Sequence, residues 1–484
     1  MNVRVLFLTL LGICGNVVAQ QWAPVGQLNN GVNCLFEDNE QSILYIGGTF
    51  GLFNSDTMAS IFSWNGQRGS RLDCGMEWDC SENFYVSATP AVNQIIRYQN
   101  DIYATGFFWY ASGTRVNGLA RWDGENWHAV GTGLKYGNRP GLGPGPGPGY
   151  GLKVINDELF VMGRFDSCAG VAANSIAKFN GINWSAVDEF PLFDPDTPNS
   201  ISEVAFFKSE LYVGGNFSET GDLMGYKSSI VRYSNGEWVS VGKGIRGGFS
   251  GIDCMEIYKG ELYVGGLFQR LGTLNPGHGI AKWNGTSWSE IGGSGLGNEG
   301  LPHIFDMIVF QDKLYIVGDM RTAGGVPVKS IARWDGTNWC ALSPPGTFPN
   351  TIIALGSYRD TLYIGGGFRH VGGDSNMAYI AKWIGGDYTE NCGNTTGIEN
   401  QAVEEIIMSA YPNPVSDQLT ISLGTDEKGD LSIIDITGRI SYQQQFAKHH
   451  PTNISIPLND WSNGIYLVRW QDEQNSRSIK FVKQ

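Results

Sequence analysis

The sequence predicts an all-β chain: a seven-bladed β-propeller whose last blade is closed by an N-terminal strand, followed by a small immunoglobulin-like β-sandwich. Three observations predict it. A short strand-like string ending in Gly recurs seven times at roughly fifty-residue spacing. A segment at the N-terminus matches the strand that the last repeat lacks, and beyond Cys392 the repeat gives way to short strands of a different rhythm. Composition agrees. With 67 Gly among 484 residues, 12% aromatic and 17% charged residues, the chain is suited to many strands and tight turns rather than to helices.

The first string of each repeat reads LYIGG from Leu44, IYATG from Ile102, LFVMG from Leu159, LYVGG from Leu211 and from Leu262, LYIVG from Leu314 and LYIGG from Leu362. A partner string follows: IFSWNG from Ile61, LARWDG from Leu119, IAKFNG from Ile176, IVRYSNG from Ile230, IAKWNG from Ile280, IARWDG from Ile331 and IAKWIGG from Ile380. Five partner strings lead through Asn-Gly or Asp-Gly to a Trp: Trp127, Trp184, Trp238, Trp288 and Trp339. Such dipeptides supply the positive φ of a hairpin turn, so the partner string and the Trp segment are adjacent antiparallel strands. An apolar run before each first string, such as SEVAFFKSE before Leu211, completes a four-stranded meander. Repeated seven times, that meander builds a propeller of sheets covered on both faces. The last repeat has no Trp strand, yet Trp22-Ala23-Pro24-Val25-Gly26 matches the pattern of Trp127 to Gly131. The N-terminus is therefore expected to complete blade seven and remove both free sheet edges.

The Tyr, the paired Gly and the downstream Trp resemble the Kelch type of propeller repeat over residues 20–392. That resemblance implies a fold and no particular activity.

A charged start, an apolar run from Val5 to Cys14 and small residues up to Ala19 read as a signal peptide over residues 1–19. No later stretch is long and apolar enough to span a bilayer. Beyond the leader seven cysteines remain, an odd number for an oxidising destination: Cys34, Cys74, Cys80, Cys168, Cys254, Cys340 and Cys392. Cys74 and Cys80 are near enough to staple one loop, and the rest read as small hydrophobes. The net charge of −14 argues against a nucleic-acid partner.

Residues 393–402 form a polar linker. From 403 to 484 short alternating strands carry Tyr411-Pro412-Asn413-Pro414, a Thr-Gly-Arg turn at Gly438, a strand entry with Gly464 and Tyr466, and a basic end with Lys480 and Lys483. This segment resembles the C-terminal sorting domain of type IX secretion. The resemblance implies the type IX secretion machinery as partner, outer-membrane passage, removal of the tail, and a passenger released or held at the cell surface.

Propellers place function on loops at one face. Aligning Phe108 with Phe50, Phe165 and Phe217 makes it the repeat's own core aromatic, so Trp109 and Tyr110 are additional and are the best candidates to bind a glycan or a protein. The Gly-Pro alternation from Gly137 to Tyr150 reads as an exposed, extended arm. Asp194, Asp196 and Asp374 lie in acidic loops where bound calcium is possible, although no complete ligand string is present. Arg121, Lys178, Arg232, Lys282, Arg333 and Lys382 recur at one strand position and read as a ring of locally paired cations. No nucleophile elbow, metal-binding His pair or phosphate loop occurs, so no catalytic residue and no cofactor are expected. The leading expectation is a monomeric, non-enzymatic, exported binding propeller. The alternatives are a polysaccharide hydrolase or lyase using carboxylates from several blades, and a structural surface-layer component.

Overall fold

A computed structural model describes residues 22–77, 90–137, 145–187, 190, 200–217, 229–242, 245, 251–268, 277–293, 295–297, 301–342, 347–348, 350–384, 408–423, 428–435, 439–448, 453–471 and 476–484. The chain divides into two compact units, 1–394 and 395–484. Among the described residues both are built of strands, with one 3-10 turn at Ser375–Met377. No helix among them is long and apolar enough to cross a membrane.

In the first unit each repeat forms a four-stranded antiparallel array. The first array comprises Val32–Asp38, Ile43–Gly48, Ile61–Trp64 and Gly69–Arg71; the second Ala91–Tyr98, Asp101–Phe107, Leu119–Trp122 and Trp127–Ala129. The third holds Gly149–Ile155, Glu158–Gly163, Ile176–Phe179 and Trp184–Ala186; the fourth Ser200–Phe207, Glu210–Asn216, Ile230–Ser234 and Glu237–Ser240. The fifth, Gly251–Tyr258, Glu261–Leu267, Ile280–Trp283 and Trp288–Ser289, is bridged at Leu267 and His303 to the sixth, His303–Phe310, Lys313–Asp319, Ile331–Trp334 and Trp339–Ala341. In the seventh, Ile352–Tyr358, Thr361–Gly366 and Ile380–Trp383 are joined by Trp22–Pro24, which pairs Trp22 with Trp383 and Pro24 with Ala381.

An aromatic cross-strand pair marks the outer hairpin of most arrays. Trp122 and Trp127 lie 5.3 Å apart, Phe179 and Trp184 4.9 Å, and Trp283 and Trp288 5.1 Å. Trp22 and Trp383 repeat this pairing at 4.9 Å although their strands come from opposite ends of the unit. Such pairs stabilise a sheet by roughly 0.5–1.5 kcal/mol beyond the area they bury. The first array has no second Trp; Phe53, from the loop, packs against Trp64 instead.

Successive arrays are tied by the same donor in the same place. The Tyr98 hydroxyl donates to the Asp157 carbonyl, Tyr258 to Asp312, and Tyr358 in the seventh array to Ser42 in the first. The Nε1 of Trp127 donates to Leu72, that of Trp288 to Val241 and that of Trp339 to Ile291. The first strands of the arrays lie beside one another in chain order, and that of the seventh lies beside that of the first.

The Gly-Pro segment departs from the expected exposed arm. Residues 138–144 lie outside the described residues, but Gly145–Pro146 pairs with Leu134–Tyr136, and Gly147 and Gly149 are buried. The reason is close approach: a Cβ at Gly149 would fall 1.8 Å from Thr105 Oγ1, so Gly permits packing here rather than flexibility. Cys34, Cys168 and Cys254 are free and buried, whereas Cys340, expected among the small hydrophobes, is disulfide-bonded, as is Cys74. The expected partner of Cys74, Cys80, lies outside the described residues.

The second unit has two antiparallel sheets around one core. Met408–Tyr411, Gln418–Leu423 and Asn453–Pro457 form one, and Ile440–Phe446, Gly429–Asp435, Gly464–Gln471 and Ser476–Lys483 the other. The strict alternation of Gly464–Gln471 buries Tyr466, Val468 and Trp470 against Leu419, Ile421 and Phe481.

Trp22→Ala removes an aromatic pair and leaves the Ile380–Trp383 edge loosely covered. Urea unfolding should show a loss of about 3–5 kcal/mol; an unchanged midpoint would deny the N-terminal strand its role.

Candidate functional site

Two places in the first unit concentrate groups that chemistry could use. The first is the loop of the second array. Phe108 is buried, as are its counterparts Phe50, Phe165 and Phe217, so the chain leaves the core at the next residue. Tyr110–Ala111 and Thr114–Arg115 form a two-residue ladder around Ser112 and Gly113, both with positive φ. The Trp109 carbonyl accepts from the backbone N–H groups of Val116 and Asn117. Its indole remains 38% exposed, and the Arg115 guanidinium lies 5.2 Å from the ring centroid. Arg115 is held by a 3.0 Å bond from Nε to Asn117 Oδ1. Trp109 is thus a rigid exposed aromatic, while Tyr110 is half-buried beside it.

The second place is formed by the first strands, each of which carries a bulge near its start, after Val32, Val92, Gly149, Ile201, Ile252, Ile304 and Ile352. Glu203 and Asp306 occupy the position just past the bulge in the fourth and sixth arrays, and Lys153 and Glu256 sit two residues further along in the third and fifth. Lys153 Nζ lies 3.6 Å from Glu203 Oε1. Asp306 accepts 2.8 Å bonds from the Met307 and Leu355 backbone N–H groups, the second reaching across to the seventh array. Burial pushes the Asp306 carboxyl up to about 7, with Glu203 adding to the rise and the two N–H groups and Lys153 opposing it. Burial also raises Glu203 and Glu256 against the pull of Lys153, whose own proton is held more tightly by Glu203. The thiols of Cys34 and Cys254 are pushed up by burial and stay protonated. At one margin of this region Asn33 Nδ2 donates to Asn93, Asn93 to the Gly149 carbonyl, and His303 Nε2 lies 2.6 Å from Asp253 Oδ2.

The carboxylates of the first strands were missed in the sequence because they stand as single polar positions within apolar runs such as SEVAFFKSE and FDMIVFQDK. Of the acidic loop residues, Asp374 caps the 3-10 turn by accepting from Asn376 N, and Asp194 and Asp196 lie outside the described residues. No group of three metal-ligating side chains occurs among the described residues. The recurrent cations are largely paired within their own arrays: Arg121 with Asp101 at 2.5 Å, Lys178 with Glu158 at 3.2 Å, Arg232 with Glu210 and Lys282 with Glu261 at 2.6 Å.

In the second unit the residues of the YPNP motif meet the last strand. Tyr411 is exposed at the end of its strand, and the Tyr411-Pro412 and Asn413-Pro414 bonds are cis. Asn413 donates to the Lys480 carbonyl and accepts from Val482 N. Lys480 is exposed, Lys483 is buried with Nζ on the Gln484 carbonyl, and Gly464 pairs with Lys483. Tyr466 stacks on Phe481 at 5.4 Å and donates to the Ser462 carbonyl. Gly438 lies outside the described residues.

Residues 409–484 match the family described as the secretion system C-terminal sorting domain. The match assigns the chain to export through type IX secretion, to the cell surface or beyond it. No curated protein matches the chain. Among solved structures it is similar to PorZ, described as an essential bacterial surface component of the type IX secretion system of Porphyromonas gingivalis, at 16% identity and a TM-score of 0.44. That likeness covers 94% of this chain and 59% of PorZ, so the chain spans less than two thirds of PorZ's length. It is also similar to U3-55K and to the WD40 repeats of RRP9, each at 11% identity with a TM-score of 0.43. These cover 75% of this chain and 98% and 97% of theirs.

The raised Asp306 pKa has a definite sign. The folded chain holds this proton more tightly than the unfolded chain, so the associated stability is present at low pH and is lost as pH rises through about 7. Relative to Asp306→Asn, the wild type should therefore lose stability between about pH 4 and about pH 7 and change little above that; parallel melting curves at all pH values would contradict the assignment.

Proposed function

We propose that the chain is an exported, non-enzymatic, seven-bladed β-propeller of Kelch-like type, displayed at the surface or released, that binds a glycan or protein ligand through its loop face. The seven arrays are read as blades and Trp22–Pro24 as the strand that closes the last one, a reading supported by the Trp22–Trp383 pair and the Tyr358–Ser42 bond. The single observation that carries the binding role is Trp109, an indole 38% exposed on a fixed hairpin directly after the buried core aromatic Phe108. Aromatic faces on rigid supports bind sugar rings and anchor protein partners at small entropic cost.

One observation favours a second reading, a polysaccharide hydrolase or lyase. Carboxyls from three arrays, Glu203, Glu256 and Asp306, are held toward their protonated forms, as a general acid must be.

A binding screen of purified protein against glycans and surface proteins, with Trp109→Ala beside the wild type, separates the readings. The expected result is a ligand whose affinity falls at least about tenfold in the variant, the size of a hot-spot truncation. Product release from a polysaccharide that is abolished by Glu203→Gln and indifferent to Trp109→Ala would establish the enzyme instead. Removal of residues 403–484 should leave the first unit inside the cell envelope, read by fractionation; normal delivery would show that the tail does not direct export.

A further inference from the structure

The last residue of each first strand is Asp38, Tyr98, Ile155, Phe207, Tyr258, Phe310 and Tyr358 in the first to seventh arrays. In five arrays it is a ring set edge-on to the aromatic of its own second strand. These pairs are Tyr98 on Tyr103, Phe207 on Tyr212, Tyr258 on Tyr263, Phe310 on Tyr315 and Tyr358 on Tyr363, with centroids 5.7–6.1 Å apart. Tyr98 also meets Phe179 of the next array at 5.8 Å, so its ring is held between two others. In the first array Asp38 instead accepts a 2.9 Å bond from Arg97 Nε of the second. The third array alone has an aliphatic residue here, Ile155.

A cleft of about 170 Å³ opens at Ile155, between the third and fourth arrays. Phe160 and Tyr233 line it, with Phe206, which is 40% exposed. By strand register Phe160 is the counterpart of Tyr103 and Tyr233 that of Phe179, so the two rings that hold Tyr98 are both in place around Ile155. The charged groups in the wall, Lys178 and Glu158, neutralise each other at 3.2 Å. A larger opening of about 470 Å³ between the sixth and seventh arrays keeps its ring, Phe310 at 5.9 Å from Tyr315. The polar end of the slot is also repeated. Tyr98, Tyr258 and Tyr358 donate to Asp157, Asp312 and Ser42, each the residue just before the second strand of the next array, and Ser209 occupies that place opposite Ile155. In the fourth, fifth and seventh arrays the following residue, Lys208, Lys259 or Arg359, lays its charge over the ring at 4.9–5.4 Å, whereas Asn156 follows Ile155.

We propose that this slot takes the side chain of a tyrosine presented by a partner polypeptide, its ring between Phe160 and Tyr233 and its hydroxyl donating to the Ser209 carbonyl. The chain itself shows what such a slot holds, because Tyr98, Tyr258 and Tyr358 occupy the equivalent place with the same contacts. The volume lies below the range of sites for whole small ligands and suits one inserted side chain. A basic residue after the tyrosine supplies the cover that Lys259 gives Tyr258, and its charge suits a chain of net charge −14. Ile155 ends a first strand, whereas the Trp109 loop follows the end of a second strand, so the two sites lie at opposite ends of antiparallel sheets and neither depends on the other.

The test is a ligand-observed NMR titration of the whole purified chain with the capped peptide Gly-Tyr-Lys-Gly, its Gly-Phe-Lys-Gly analogue and 4-methylphenol. The tyrosine peptide should bind, the phenylalanine peptide about threefold or more weakly for want of the hydroxyl, and 4-methylphenol more weakly than the tyrosine peptide. Ile155→Tyr places the chain's own ring in the slot, so it should melt no lower than the wild type and lose the peptide. Phe206→Ala, at a half-open wall position that the core does not need, should weaken the peptide about threefold or more, and Trp109→Ala should leave it unchanged. No binding of the tyrosine peptide at millimolar concentration, equal binding of the phenylalanine peptide, 4-methylphenol as tight as the peptide, or binding undiminished in Ile155→Tyr or in Phe206→Ala would each overturn the proposal.

Discussion

The contact on which the first unit depends is between a bulge and a glycine. Each first strand carries an extra residue near its start, and the carbonyl of the residue that opens this irregular stretch is driven toward the last Gly of the second strand. A Cβ on that Gly would meet the carbonyl oxygen at 2.0–2.5 Å, as at Gly106 on Ala91, Gly266 on Gly251 and Gly366 on Thr351. No side chain fits there, which explains why this Gly ends all seven strings while the residue before it varies. A bulge bends its strand and re-aims the residues beyond it. Here it sets Glu203 and Asp306 in one position of their respective strands, and so gathers carboxyls from separate arrays around Lys153.

The preceding Gly, where present, does a different task. At Gly47, Gly214, Gly265 and Gly365 a Cβ would strike Val92, Ile252, Met307 and Val32, each from the next array in order, with Val32 of the first array seated on Gly365 of the seventh. The missing Cβ is a socket for the neighbour's side chain. Where this position is Thr105, Met162 or Val317, the larger residue is itself buried and fills the gap. Each array therefore buries its faces only through its neighbours, and an array at an uncovered end would expose such sockets to water.

Charge is arranged by the same repetition. One cation and one acid recur at fixed positions and neutralise each other inside the second to fifth arrays, at a contribution to stability that half-exposed pairs keep small. The framework contacts, Gly against carbonyl and aromatic against aromatic, are independent of the residue at the acid position.

The sequence by itself determined the repeat, the strand order within it, the kinship of residues 22–26 with the Trp strands, the core role of Phe108 and the character of the tail. These are local patterns: period-two alternation, turn dipeptides and motif spacing survive in one dimension. Tertiary structure decided what depends on contacts between arrays. The Asp306 carboxyl is raised because burial and Glu203 act on it from elements far apart in sequence. The Gly-Pro segment packs because Thr105 reaches the face of Gly149. Alternation tells which face of a strand a residue occupies, but only packing tells which other residues share that space and with what charge.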